Sequence, residues 1–220
     1  MQIYNVIMPL KAEREVNMRK TTKRRLSSLL CAALMLITSI DVTAFAAESK
    51  ASTRKIDVWD IGTVQEADTD KYNNHITAAD WENCDNVSKD GKFVAGETTF
   101  GDLTINHNAN DRLFSASGKN YGSNALATTA YDDGYTASGM YYCNGTGGEG
   151  RRYIAINNVE AGDKIVVYMA SSNAANGTLL FKYLGEDNEQ VEKASFTNKG
   201  AKYEFVAKYS GSYKVYTDAA

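Results

Sequence analysis

The chain has 220 residues, 43% apolar and 23% charged, and a formal net charge of −3. This composition is that of a globular chain rather than a disordered or fibrous one, and the length suits a single domain. Beyond Ala46 the balance is more acidic, 17 Lys plus Arg against 24 Asp plus Glu, a net charge near −7, which argues against nucleic acid or anionic lipid as a partner.

In chain order, the first pattern is a leader. Lys20, Lys23, Arg24 and Arg25 form a positive stretch, Leu29 to Ile40 is an apolar run of 12 residues, and Ala44-Phe45-Ala46 is a small-x-small site. Together they read as a signal helix cut after Ala46. The apolar run falls short of the roughly 20 residues a bilayer crossing needs, so no membrane attachment is expected after the cut. Glu13 and Glu15 are poor company for the positive stretch, so the reading places the true start at Met18 and the signal peptide within residues 1–46. Secretion follows as the expected localisation.

Residues 47–54 form a short polar lead-in to a domain over residues 55–220. Lys55 to Ile61 reads as a strand, and 66–75 as a polar loop. Thr77 is a helix N-cap for a turn or two through Trp81. Thr98 to Ile105 reads as one strand with a bulge near Gly101, and Arg112 to Phe114 as another. Residues 115–138, rich in Ser, Gly, Asn and Thr, read as a long surface loop with a small strand at Ala125 to Thr128.

Further strands are expected at Met140–Cys143 and 152–159, joined by a Gly-rich hairpin turn over 144–150, and then at 164–170, 178–184, 191–197, 203–208 and 213–217. Fourteen tyrosines and a single proline, Pro9, suit such a chain. Strands recurring without 10-to-15-residue helical patterns between them predict an all-β fold, a jelly-roll-like β-sandwich of the carbohydrate-binding-module type.

No catalytic signature stands out. His75 and His107 have no metal-type spacing, and there is no H-E-x-x-H, Cys-x-x-Cys or G-x-S-x-G. The chain itself is therefore read as non-catalytic. Cys84 and Cys143 either form a disulfide or stay as two buried thiols. Asp132 and Asp133 are either solvated turn residues or part of a structural Ca2+ site.

Binding needs exposed, rigid rings beside hydrogen-bonding groups. Trp81, Tyr121, Tyr131 and Tyr135, interleaved with Asn120 and the aspartates, offer that for a sugar. Arg112, Lys119, Arg151 and Arg152 are candidates for a cationic patch. Arg112 has a second reading, a structural arginine paired with Asp111.

Lys55 to Gly62 (KIDVWDIG), then Asp70, Tyr72, Asn74, Ile76-Thr77 and Trp81, resembles the opening of an accessory domain in modular pectate lyases and pectinesterases secreted by gut and rumen Clostridia. Asn110-Asp111-Arg112-Leu113 is similar to that domain's N-D-R-L element. Ala161-Gly162-Asp163 and Ser210 to Tyr216 are similar to its later hairpin and closing strand. The opening departs from the family's K-W-D-F-G, and no catalytic domain follows. The resemblance implies a secreted module that holds plant cell-wall polysaccharide, pectin above all, for a catalytic domain in a longer parent protein, with this chain as a truncated or stand-alone form. A structural or adhesive cell-surface domain and a lyase or esterase fragment are the alternatives.

Overall fold

The computed structural model describes residues 2–8, 56–62, 72–116, 118–172 and 176–218. The apolar run, the cut site and the lead-in of the expected leader lie outside these. Gln2–Met8, placed before the expected start at Met18, form a strand, β1, within the same compact unit as residues 54–220.

The strands that follow are β2 (Ile56–Asp60), β3 (Tyr72–His75), β4 (Gly96–Phe100), β5 (Leu103–His107), β6 (Arg112–Phe114) and β7 (Met140–Tyr142). After them come β8 (Tyr153–Val159), β9 (Lys164–Ala170), β10 (Gly177–Tyr183), β11 (Val191–Phe196), β12 (Ala201–Val206) and β13 (Gly211–Asp218). One sheet runs β12-β9-β1-β2-β3, with β7 pairing β1 beyond the end of β2 and β6 pairing β7. The other runs β11-β10-β13-β8-β5-β4. Among the described strands, all pairs are antiparallel except β2 with β3. The fold is thus all-β, as expected.

One cluster of buried side chains draws on both sheets: Trp59, Ile165, Val167 and Phe205 from the first, and Leu103, Ile105, Ile154, Phe181, Tyr213 and Val215 from the second. Its centre is an aromatic stack, with Phe181 lying 4.9 Å from Phe205 and 4.4 Å from Tyr213, almost parallel to both. Tyr213 remains satisfied there because its hydroxyl donates to the Tyr209 carbonyl at 2.8 Å and accepts from the Tyr209 amide at 3.0 Å. Likewise, the Trp59 indole donates to the Phe100 carbonyl at 3.0 Å.

Four local expectations are corrected. Part of the expected 66–75 loop is β3, added in parallel to β2. The single bulged strand at Thr98–Ile105 is a hairpin, β4 and β5, turned at Gly101-Asp102. Gly101 has φ +56, and a Cβ there would lie 2.2 Å from Asn74 Oδ1, so the alternation breaks at a turn that favours glycine. Ala125–Thr128 is a 3-10 helix, capped by the Asn124 side chain accepting from the Leu126 amide at 2.9 Å. Finally, β7 and β8 belong to different sheets, so the Gly-rich segment 144–150 crosses between sheets instead of closing a hairpin.

The Thr77 cap is present as expected. Helix α1 (Ala78–Glu82) begins with a capping box in which Thr77 and Asp80 satisfy each other's backbone amides.

Candidate ligand-binding face around Tyr121

The segment 115–138 is a cover as much as a loop. β9 is buried on both faces: Ile165, Val167 and Met169 join the cluster that draws on both sheets, while Val166, Tyr168 and Ala170 face a second cluster. Phe114, Ala127, Tyr131, Ala137 and Met140 complete that second cluster. Backbone hydrogen bonds Ala137 N to Thr129 O (2.9 Å) and Tyr131 N to Tyr135 O (2.8 Å) hold the cover in shape.

This accounts for three of the four ring candidates. Tyr131 is 5% exposed and packs edge-on against Tyr168, with centroids 5.0 Å apart. Tyr135 lies 4.3 Å from Tyr168, and burial pushes its phenol pKa up. Both rings pack into the cover, Tyr131 buried and Tyr135 half-buried. Trp81 is 0% exposed and meets Phe100 edge-on at 4.6 Å, because the short helix that begins at Thr77 turns its indole into the core. Trp81 and Tyr131 are thus closed to solvent, whereas Tyr135 is half-buried.

Asp133, one of the two aspartates of the cover, is engaged by protein groups. Asp133 accepts from the Tyr168 hydroxyl at 2.7 Å and the Tyr135 amide at 3.1 Å, and pairs with Lys202 at 3.2 Å. Those bonds, the Tyr168 hydroxyl first, lower its pKa. Tyr168 is correspondingly pushed up to about 12 by burial and by the Asp133 bond. A lysine at the carboxylate opposes a cation there. Among the described residues, which include Asp132, no group of three or more His, Cys, Asp or Glu side chains is arranged to hold a metal.

The arginines exchange the roles expected of them. Asp111, fully buried, takes Arg152 Nε on both oxygens at 2.7 and 3.0 Å. It also accepts from the Tyr141 hydroxyl (2.9 Å) and from the Asn108 and Asn144 amides (2.8 and 2.9 Å). The structural arginine is therefore Arg152, not Arg112, and Arg152 is lost to any surface patch. Cys84 and Cys143 are both buried and not joined in a disulfide.

Of the remaining candidates, Tyr121, Asn120, Arg112 and Lys119 come together, whereas Arg151 sits at the end of the Gly-rich crossing, its amide donating to the Gly148 carbonyl at 3.1 Å. Tyr121 is 44% exposed, with the Arg112 guanidinium 4.8 Å from its ring centroid and Phe114 edge-on at 5.6 Å. The main chain that carries the ring is anchored: Tyr121 N donates to Leu113 O (2.9 Å), Asn120 N to Lys89 O (3.3 Å), and Leu113 N to Gly91 O (2.8 Å). Asn120 fixes the turn, donating from Nδ2 to Ser115 O at 2.7 Å and accepting from Gly122 N at 3.1 Å. Gly91, at φ +70, permits this crossing, since a Cβ would lie 2.3 Å from Tyr121 N.

These mutually bonded segments carry Lys89, Lys92, Arg112 and Lys119, with Lys92 already paired to Asp90 at 2.7 Å. Lys92 and Arg112 are bridged through their backbones. Glu82, Lys89, Gly118 and Lys119 line an adjoining cavity of about 370 Å³. Lys89 and Lys92 had no sequence signal of their own, because only the fold brings Lys92 beside Arg112 and Lys89 beside Asn120.

Most residues that carry the family resemblance are structural. Asn74 Nδ2 donates to Asp57 and to Asp102, both at 2.8 Å; Trp59, Trp81 and Asp111 are buried, and Thr77 caps α1. The chain matches no family model, no curated protein and no solved structure.

Proposed function

We propose that this chain is an exported β-sandwich module that binds plant cell-wall polysaccharide through the face around Tyr121, as an accessory to a pectin-degrading enzyme. The exposed ring of Tyr121, on an anchored main chain beside the Arg112 guanidinium, carries the reading. An aromatic ring stacks against the C–H face of a sugar, and a guanidinium with neighbouring ammonium groups pairs with uronate carboxylates. Lys89 and Lys119 add positive charge near Arg112, Lys92 being paired with Asp90, and a polyanionic ligand needs such charge against the net charge near −7. Two sheets sharing one core support the sandwich, and the leader pattern supports export.

A glycan array probed with the purified protein, with calcium and with chelator, tests the reading. Retention is expected on uronate-rich glycans, equal in both conditions and lost in Tyr121→Ala. Absence of retention on every plant glycan would reject it.

A further inference from the structure

We propose that the place occupied by β1 is a strand-acceptor slot, and that it takes in trans an extended, proline-free apolar peptide strand of a partner polypeptide. This inference is independent of the glycan reading.

β1 is flanked on both edges. On one side it pairs antiparallel with β9, with Val6 opposite Val167 and Ile7 opposite Val166. On the other it pairs antiparallel with β2, Val6 opposite Trp59, and further along with β7, Ile3 opposite Tyr141. Val6 is thus in register between Trp59 and Val167, both 0% exposed. β9 already uses its far edge for β12. Without β1, the near edge of β9 and the facing edges of β2 and β7 would stand about 9–10 Å apart, two strand spacings. Their backbone groups would be unpaired inside a sheet whose β9 is buried on both faces, a costly state.

The occupant is tethered unlike a hairpin strand. β1 and β2 are antiparallel neighbours, a pairing that usually needs a connection of two to five residues, yet residues 9–55 separate them. A cut after Ala46, where the leader pattern predicts one, would sever β1 from every strand it pairs with. The slot would then be filled by strand addition from another chain, with main-chain hydrogen bonds giving affinity and the apolar positions giving selectivity. The sequence Gln-Ile-Tyr-Asn-Val-Ile-Met defines the chemistry of the occupant: seven residues, apolar at most positions, without proline.

The full chain with a specific protease site inserted in residues 47–54 provides the test. After cutting, it is unfolded and refolded with an excess of fluorescent peptide of the Gln2–Met8 sequence, or of the same peptide with proline at the Val6 position. The expected result is near-stoichiometric co-elution of the first peptide with the folded large fragment and at least tenfold less of the proline peptide, which lacks a ladder N–H. Three results would overturn the proposal: equal uptake of both peptides, refolding to the uncut chain's unfolding midpoint with neither peptide retained, or failure of the cut chain to fold with peptide present.

Discussion

Asp111 and Arg152 are 41 residues apart in sequence and meet in the interior, Arg152 Nε lying 2.7 Å from one carboxylate oxygen and 3.0 Å from the other. Around them Asn108, Tyr141 and Asn144 complete the acceptor capacity of the carboxylate, and Arg152 Nη1 reaches the Thr146 carbonyl at 3.2 Å. The pair joins the turn before β6 to β7, to the Gly-rich crossing and to the start of β8. Breaking a buried, fully bonded ion pair from one side leaves an uncompensated charge. Asp111→Asn and Arg152→Met should each destabilise the protein by about 3–5 kcal/mol in urea unfolding. Arg112→Met should cost about 1 kcal/mol or less, since its partners are the carbonyls of Ala109 and Asp111 and the ring of Tyr121. Comparable losses for the two arginines would contradict the assignment of Arg152 as the structural one.

His107 should make stability depend on pH. It is 1% exposed, its Nε2 lies 2.8 Å from Thr98 Oγ1, and burial lowers its pKa from the ordinary 6.5. A lowered folded pKa means the unfolded chain takes up a proton that the native chain refuses. The stabilisation is therefore complete above pH 6.5 and declines as pH falls below that value toward the folded pKa. The slope cannot exceed about 1.4 kcal/mol per pH unit for one group. Urea midpoints between pH 7.5 and 5 should show this decline in the parent and a flatter profile in His107→Gln; superimposable slopes would assign the effect elsewhere.

Gly62 and Gly139 mark a contact where two backbones touch. A Cβ on Gly62 would lie 2.0 Å from Gly139 N, and one on Gly139 would lie 2.2 Å from Phe114 O. Backbone cannot step aside as a flexible side chain can, so Gly62→Ala and Gly139→Ala should each cost about 2 kcal/mol or more. Gly150, where a Cβ would meet nothing within 4 Å and φ is not positive, is the control. Gly150→Ala should be neutral or stabilise by up to about 1 kcal/mol. Thermal unfolding of the three variants separates space from glycine content as the cause.

Much of the fold was legible because its signals are local. Alternation located most strands, and Thr77 read as a helix N-cap, which the structure contains as half of a capping box with Asp80. What was hidden is long-range. The period of two in β7 and β8 gives no sign that they lie in different sheets, and a polar stretch such as Tyr72–His75 reads as loop until β2 offers it an edge. The candidate site divides the same way. Composition marked Trp81, Tyr131 and Tyr135 as loop aromatics, but whether such a ring faces solvent depends on what lies beneath it. For Tyr131 and Tyr135 that is Tyr168, a residue of a distant strand whose second apolar face needs a cover. Arg112 and Arg152 could not be told apart either, because neighbours such as Asp111 and Arg112 point their side chains different ways on an extended backbone.

Tyr121 supplies the prediction on which the functional reading depends most directly. Its ring is exposed and its backbone anchored, so truncation removes a contact surface without opening the core. Tyr121→Ala should leave the unfolding free energy within about 0.5–1 kcal/mol of the parent, as for exposed sites away from buried networks. If the face holds a uronate polymer, the same variant should lose at least tenfold in affinity, measured by isothermal titration with oligogalacturonides. Binding by the parent should also weaken as salt rises from about 0.05 to 0.5 M, because exposed charges are screened over roughly 10 Å or less across most of that range. Arg112→Gln should reduce both affinity and its salt dependence, whereas Tyr121→Phe should retain most of the affinity, since stacking needs the ring and not the hydroxyl. Parent affinity that is insensitive to salt, with Tyr121→Ala still binding, would place the ligand on another face.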